Sequence, residues 1–244
     1  MIFPITAIIL AGGHSKRTLL TDDRTYKLVR SYFSLDPLIV LAVKRCHLLA
    51  AQIIILTGKY DHEYRDSLKG FEDILRVPDS SCGSGTALLN VLKFSRFNDL
   101  LCINADTIND WSYRNFIHRH FELKHTSSIL LSKSPTAQNP NSYVYTENLS
   151  VIKSFEDDNI LFRPKLDGCS YAANTGVLML SKLDLLKFNV LPNMTIERDI
   201  VPSLIKYKLI KCIEGGEFTT YDLGVKSRID SFRSVSEKIF LRKD

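Results

Sequence analysis

Residues 10–17 read LAGGHSKR, an apolar run that ends in two glycines and a polar turn carrying Lys16 and Arg17. Glycine lets a backbone come close to a ligand, and amides exposed in such a turn can face phosphate oxygens. An arginine grips a phosphate through paired N–H donors, whereas a lysine offers a point charge. The chemistry this points to is the handling of a phosphorylated ligand, although a glycine pair before a polar loop is also a plain turn. The spacing is neither G-x-G-x-x-G nor a Walker loop, so neither a Rossmann dinucleotide site nor a P-loop is supported. The cysteines at 46, 82, 102, 169 and 212 form no C-x-x-C pair. That argues against a disulfide framework or a structural zinc site and fits a reducing cytosol. His118 and His120 lie two apart on an expected helix and face different ways, which argues against a shared metal and reads as solvated surface.

Hydrophobic patterning supplies the elements that must position this loop. The patterning predicts strands over 6–11, 52–57, 73–77, 100–104 and 127–131, the first two buried, with helices over 38–51, 61–69, 86–94 and 112–124 between them. The rhythm then changes to strands over 143–146, 151–155 and 177–180 with little helix between them. A helix over 196–207, strands over 209–213 and 218–221 and a helix over 226–240 follow. The βαβ succession implies a Rossmann-like α/β fold, a mostly parallel sheet flanked by helices, with a smaller mixed α+β part. No repeat or linker divides residues 1–244, so one domain is expected, in which the second half completes the sheet of the first. Ligands of open parallel sheets bind beyond the carboxyl ends of the strands. That rule selects 12–27, 57–60, 78–86 and 104–107 as the segments for chemistry.

Composition agrees. The 244 residues are 45% hydrophobic and 24% charged, the balance of a soluble globular protein rather than a disordered chain. No apolar run approaches the roughly 20 residues of a membrane-spanning helix. The first residues lack a basic group ahead of their apolar stretch, so they do not read as a signal peptide. A net charge of +5 suits anionic small substrates and nucleic acid equally and decides nothing alone, but no basic block or aromatic-basic ladder points to nucleic acid.

Seven motifs in order carry a resemblance to the sugar-1-phosphate nucleotidyltransferases. LAGG-x-x-x-R is followed by Lys27. Gly83-Ser84-Gly85-Thr86-Ala87 resembles the family's L-G-T-A-G-A turn, and Ile103-Asn104-Ala105-Asp106-Thr107 its N-G-D-T segment. Phe155-Glu156 resembles the start of F-x-E-K-P, and Asn174-Thr175-Gly176-Val177 the N-x-G-[VI] strand. Glu197-Arg198-Asp199-Ile200-Val201-Pro202 resembles E-x-D-[VI]-[LF]-P, and Tyr221-Asp222-Leu223-Gly224 the D-I-G turn. The likeness spans residues 5 to about 235, and the layout is most similar to D-glycero-D-manno-heptose 1-phosphate guanylyltransferases.

The resemblance implies Mg²⁺-dependent transfer of a nucleotidyl group from an NTP, with GTP as the guess, to a heptose or related sugar 1-phosphate. Residues 1–135 would be the nucleotide-binding half and 136–244 the sugar-binding half. Arg17, Lys27 and Asp106 would be catalytic, with Asp106 and Asp222 holding the metal. Leu10, Ala11, Gly12, Gly13, Gly83, Ser84, Gly85 and Thr86 would bind nucleotide, and the glycines would leave room for base and ribose. Glu156, Asn174, Gly176 and Glu197 would bind the sugar phosphate. The expected setting is cytoplasmic synthesis of NDP-sugars for cell-surface polysaccharide, with small-molecule partners, no nucleic acid and no membrane; a homodimer is left open. The sequence also departs from the family. Ser15-Lys16-Arg17 replaces G-T-R, Tyr26 replaces the proline before the lysine, and Asp157 stands where a lysine contacts the sugar phosphate. Two alternatives remain at this point. One is a catalytically silent nucleotide-sugar-binding homologue. The other is a relative of the molybdopterin guanylyltransferases, which usually have Asp-Lys in place of Tyr26-Lys27 and lack the D-I-G turn.

Overall fold

A computed structural model describes residues 1–12, 28, 36–78, 83–109, 111–122, 124, 127–132, 142–147, 151–157, 170–215, 220–223 and 232, with Tyr60, 142–147, 151–157, 170–173 and Asp222 described by backbone alone. The strands are β1 (Phe3–Leu10), β2 (Ala50–Leu56), β3 (Leu75–Val77), β4 (Asp99–Asn104), β5 (Thr107–Asn109), β6 (Ser127–Ser132), β7 (Ser142–Glu147), β8 (Val151–Asp157), β9 (Ser170–Ser181), β10 (Ile210–Glu214) and β11 (Thr220–Asp222). The helices are α1 (Leu38–His47), α2 (Asp61–Ser67), α3 (Ser84–Val91), α4 (Tyr113–Glu122), α5 (Lys182–Leu185) and α6 (Val201–Lys206). The main sheet runs β10-β6-β9-β4-β1-β2-β3. Every strand in that order is parallel to β1 except β9, which is antiparallel to both of its neighbours. The mostly parallel α/β architecture expected from the βαβ rhythm is therefore present.

Period-two alternation builds the core. Ile5, Ala7 and Ile9 of β1 face one layer, with α1, Tyr64 of α2 and Phe116 of α4. Ile8, Ile54 and Cys102 face the other, with Leu88 of α3 and Leu204 of α6. A parallel strand buried on both faces must be apolar throughout, which is why these strands were legible. Each fully buried Ile or Leu contributes about 1.5–3 kcal/mol relative to exposure.

Three local expectations need correction. Ala50 and Ala51 were expected in the first helix, but they open β2, where Ala50 pairs with Phe3. Alanine's helix propensity is a fraction of a kcal/mol per residue, and strand pairing overrides it. His120 is buried, not solvated. Its Nδ1 lies 2.7 Å from Ser128 Oγ, while His118 remains exposed against Phe3. The 196–207 helix is two pieces, a wide π-turn over Ile196–Ile200 followed by α6. The expected helix over 226–240 lies outside the described residues apart from Phe232. Among the described residues no helix is long and apolar enough to cross a membrane.

β9 shapes the ligand-facing edge. Its second half pairs with β4, while its first half runs past the carboxyl end of β4 and pairs with β7, which carries β8 on its other side; β6 pairs with β9 from Ala173 to Met179. Asn174 thus stands opposite Leu131 near the end of β6, and Gly176 comes two residues later.

Candidate active site

The site forms where β1, β2, β4 and β6 end. Hydrogen bonds stitch these ends together: the Ala11 amide donates to the Leu56 carbonyl at 2.9 Å, and the Ala105 amide to the Leu10 carbonyl at 3.1 Å. The Tyr64 hydroxyl, fully buried, donates to the Ala11 carbonyl at 2.6 Å. Gly12 meets Gly58. A Cβ on Gly58, which has φ +58°, would fall 2.9 Å from Gly12 Cα, and a Cβ on Gly12 would fall 3.3 Å from Gly58 Cα. Gly12 therefore answers first to the neighbouring strand end. Gly13, Arg17 and Lys27 lie outside the described residues. Leu28, directly after Lys27, is buried, and its carbonyl accepts from the Ile39 amide in the first turn of α1. The chain emerging from that loop is thus fixed at a helix N-terminus whose amides lack partners within the helix.

The two acidic segments expected to share a metal meet in space. β11 pairs antiparallel with β5, so Asp222 stands opposite Thr107, the residue after Asp106. The Leu223 amide then donates to the Asp106 carbonyl at 2.9 Å. Asp106 is half-buried at the sheet edge.

A small pocket is lined by Leu10, Asn104, Asn174, Gly176 and Glu197 together with Ile196 and Val201. Leu10, Asn174, Gly176 and Glu197 were all expected in the site, and the fold brings them together from three distant stretches of chain. Asn104 and Val201 were quoted only as parts of motifs, and Ile196 was given no role; burial at the end of an apolar strand was the available signal for Asn104. Gly176 has φ +71°, the left-handed region that favours glycine, and its amide donates to Asn174 Oδ1 at 3.1 Å. A Cβ there would come within 2.9 Å of Asn104 Nδ2. Glu156 is placed by backbone only, opposite Tyr143 in the β7–β8 pair.

The 83–86 turn behaves differently from expectation. A Cβ on Gly83 would lie 2.2 Å from the Met194 carbonyl oxygen, and one on Gly85 2.9 Å from the Thr195 carbonyl carbon. The space beside these glycines holds protein backbone, not room for base and ribose. The amides of Gly85 and Thr86 donate to the Met194 carbonyl at 2.9 and 3.2 Å. The partner segment is shaped by Thr195: its Oγ1 accepts from the Arg198 amide at 3.0 Å, while its own amide donates to Asp199 Oδ2 at 2.6 Å. This reciprocal capping starts the π-turn that carries Glu197.

The described cysteines add no nucleophile. Burial pushes the thiols of Cys46 up to about 12 and of Cys212 up to about 11, and raises Cys102 as well. All three stay protonated near neutrality, and the thiolate is the reactive form.

No curated protein sequence matches the chain. HddC from Yersinia pseudotuberculosis, solved in complex with GMP-PN, superposes with a TM-score of 0.74 at 18% identity, covering 94% of this chain and 98% of that one. The inositol-1-phosphate CTP transferase from T. maritima superposes with a TM-score of 0.74 at 15% identity, covering 98% and 97%. At these identities the likeness is one of fold. The nucleotidyl transferase family model matches residues 6–188, three quarters of the sequence and the whole of the β1–β4 edge. The chain belongs to the nucleotidyl transferase family.

Proposed function

We propose that the chain joins the nucleotidyl group of an NTP to a sugar 1-phosphate, releasing pyrophosphate. An oxygen of the sugar phosphate forms a new bond to the α-phosphorus while the bond between the α-phosphorus and the bridging β-phosphate oxygen breaks, and pyrophosphate carries away the electron pair. The nucleophile is ionised at neutral pH, so charge neutralisation and alignment matter more than a general base. Arg17 would hold the departing pyrophosphate and Lys27 would bridge the two substrates' phosphates. Leu10 to Gly13 would border the nucleotide. Asn174, Gly176, Glu197 and, from β8, Glu156 would receive the sugar phosphate. Asp106 and Asp222 offer hard carboxylate oxygens from adjoining backbones, a donor set that suits Mg²⁺. When bound, that ion would offset phosphate charge.

The observation that carries this reading is the convergence of Leu10, Asn174, Gly176 and Glu197 on one small pocket with Asn104, two residues before Asp106. GTP and a heptose phosphate are supported by the sequence resemblance and, for the base, by the GMP-PN complex of HddC. The product would serve cytoplasmic synthesis of cell-surface polysaccharide. The test is pyrophosphate release from each of four NTPs paired with glucose, mannose and heptose 1-phosphates, with Mg²⁺ and with EDTA. Turnover that EDTA abolishes is expected. Silence with every pair overturns the reading in favour of a catalytically silent homologue.

A further inference from the structure

Ser84 stands in the turn expected to touch nucleotide, but its hydroxyl is directed elsewhere. Its Oγ accepts from the Ile196 amide at 3.0 Å and donates toward Glu197 Oε2 at 3.4 Å. A hydroxyl has one proton to donate, so this arrangement commits it to the carboxylate. The next hydroxyl in the turn works the same way: Thr86 Oγ1 donates to the Leu191 carbonyl at 2.8 Å and accepts from the Met194 amide at 3.0 Å. Gly83 and Gly85 let the two backbones close to this distance. The start of α3 and the 191–197 segment are therefore one joint, and the half-buried Glu197 leaves that joint into the pocket with Asn104 and Asn174.

We infer that Ser84 is a positioning residue for Glu197, so that a turn resembling a nucleotide contact acts on the sugar phosphate. The inference rests on the proposed transfer reaction. A glutamate side chain has several free torsions, and a fixed hydroxyl partner removes freedom that substrate binding would otherwise have to remove. Ser84 thus sets affinity on the acceptor side, and the nucleotide does not sense it.

Steady-state kinetics with the best NTP and sugar 1-phosphate of the panel test this. Ser84→Ala is expected to raise KM for the sugar phosphate about five- to tenfold, with KM for the NTP and kcat within about twofold. Ser84→Thr, which keeps a hydroxyl, should restore the wild-type value. Ser84→Ala should add nothing on top of Glu197→Gln, because the two groups act as a unit. A rise in KM for the NTP instead, additive effects with Glu197→Gln, or unchanged constants in Ser84→Ala would overturn the inference and leave the transfer reaction standing. A wild-type protein silent with every pair would overturn both.

Discussion

Two glycine-bearing turns differ in what their polar groups meet. At the end of β1, Gly12 presses on Gly58, and the adjoining strand end leads into Asp106, which is half-buried at the edge. At the start of α3, the glycines, amides and hydroxyls of 83–86 engage Leu191, Met194, Ile196 and Glu197. A glycine motif marks a place where something approaches the backbone closely. In both regions that something is another part of the same chain, Gly58 at the first and the 191–197 segment at the second, and the difference lies in the carboxylate that stands beside the first. The first region is an edge with chemistry on it and the second is a joint, so substitutions should break them in different ways.

The largest effect is expected at the edge. Asp106→Ala removes a charged group where the substrates' phosphates would gather, and turnover should fall by more than about a thousandfold, as for other charge-stabilising groups. Thermal denaturation should be nearly unchanged, because the tie to Leu223 uses the backbone carbonyl of Asp106. Wild-type rates in this variant would remove Asp106 from the site and with it the contrast between the two turns.

At the joint the readout should be stability. Gly83→Ala places a Cβ 2.2 Å from the Met194 carbonyl oxygen, and neither backbone can turn aside without losing the Gly85 and Thr86 hydrogen bonds. Overpacking of this kind costs about 3 kcal/mol. For a chain of this length that lowers Tm by about 6–12 °C. A wild-type melting curve would show that the two segments are not in contact.

The sequence made the buried strands legible and suggested a phosphate contact because both readings rest on local signals. A run such as Ala7 to Leu10 is apolar whatever its neighbours, and a glycine pair before cations suggests a phosphate contact without a fold. Strand direction is not local. Nothing in 170–181 distinguishes an antiparallel insertion between β4 and β6 from another parallel strand, yet that insertion brings Asn174 and Gly176 to the edge. The β5–β11 pair was half seen, as a strand over 218–221. Each of its strands is three residues long, too short for a period to register, although it sets Asp222 beside Asp106. The glycines of 83–86 were legible as glycines, but what they approach depends on a segment about a hundred residues away.

A milder perturbation of the joint separates its hydrogen bonds from its packing. Thr86→Val keeps the shape but leaves the Leu191 carbonyl and the Met194 amide without the hydroxyl that serves both. Removing one buried partner costs about 1–3 kcal/mol. Urea unfolding should show a lower midpoint with an unchanged m-value. An unchanged midpoint would mean that the glycine contacts alone hold the turn.

Of the three substitutions aimed at stability, the one at Gly176, where the two kinds of region meet, should change it least. Its φ of +71° costs an alanine roughly 1–2 kcal/mol. The added Cβ would also lie 2.9 Å from Asn104 Nδ2, but here the obstacle is the tip of a side chain that can rotate away. Relief of the clash displaces Asn104 from the pocket it lines, so the damage passes from the fold to the site. Gly176→Ala should therefore lower Tm by only a few degrees while raising KM for the sugar phosphate several-fold. Gly83→Ala should show the larger fall in Tm, and the molecules still folded should share the raised KM expected of Ser84→Ala, because the same joint holds Glu197. Measured side by side, the two alanines would test whether backbone-facing glycines hold this fold and side-chain-facing glycines tune its pocket. If Gly176→Ala melts as early as Gly83→Ala with an unaltered KM, the Asn104 contact has no part in substrate binding.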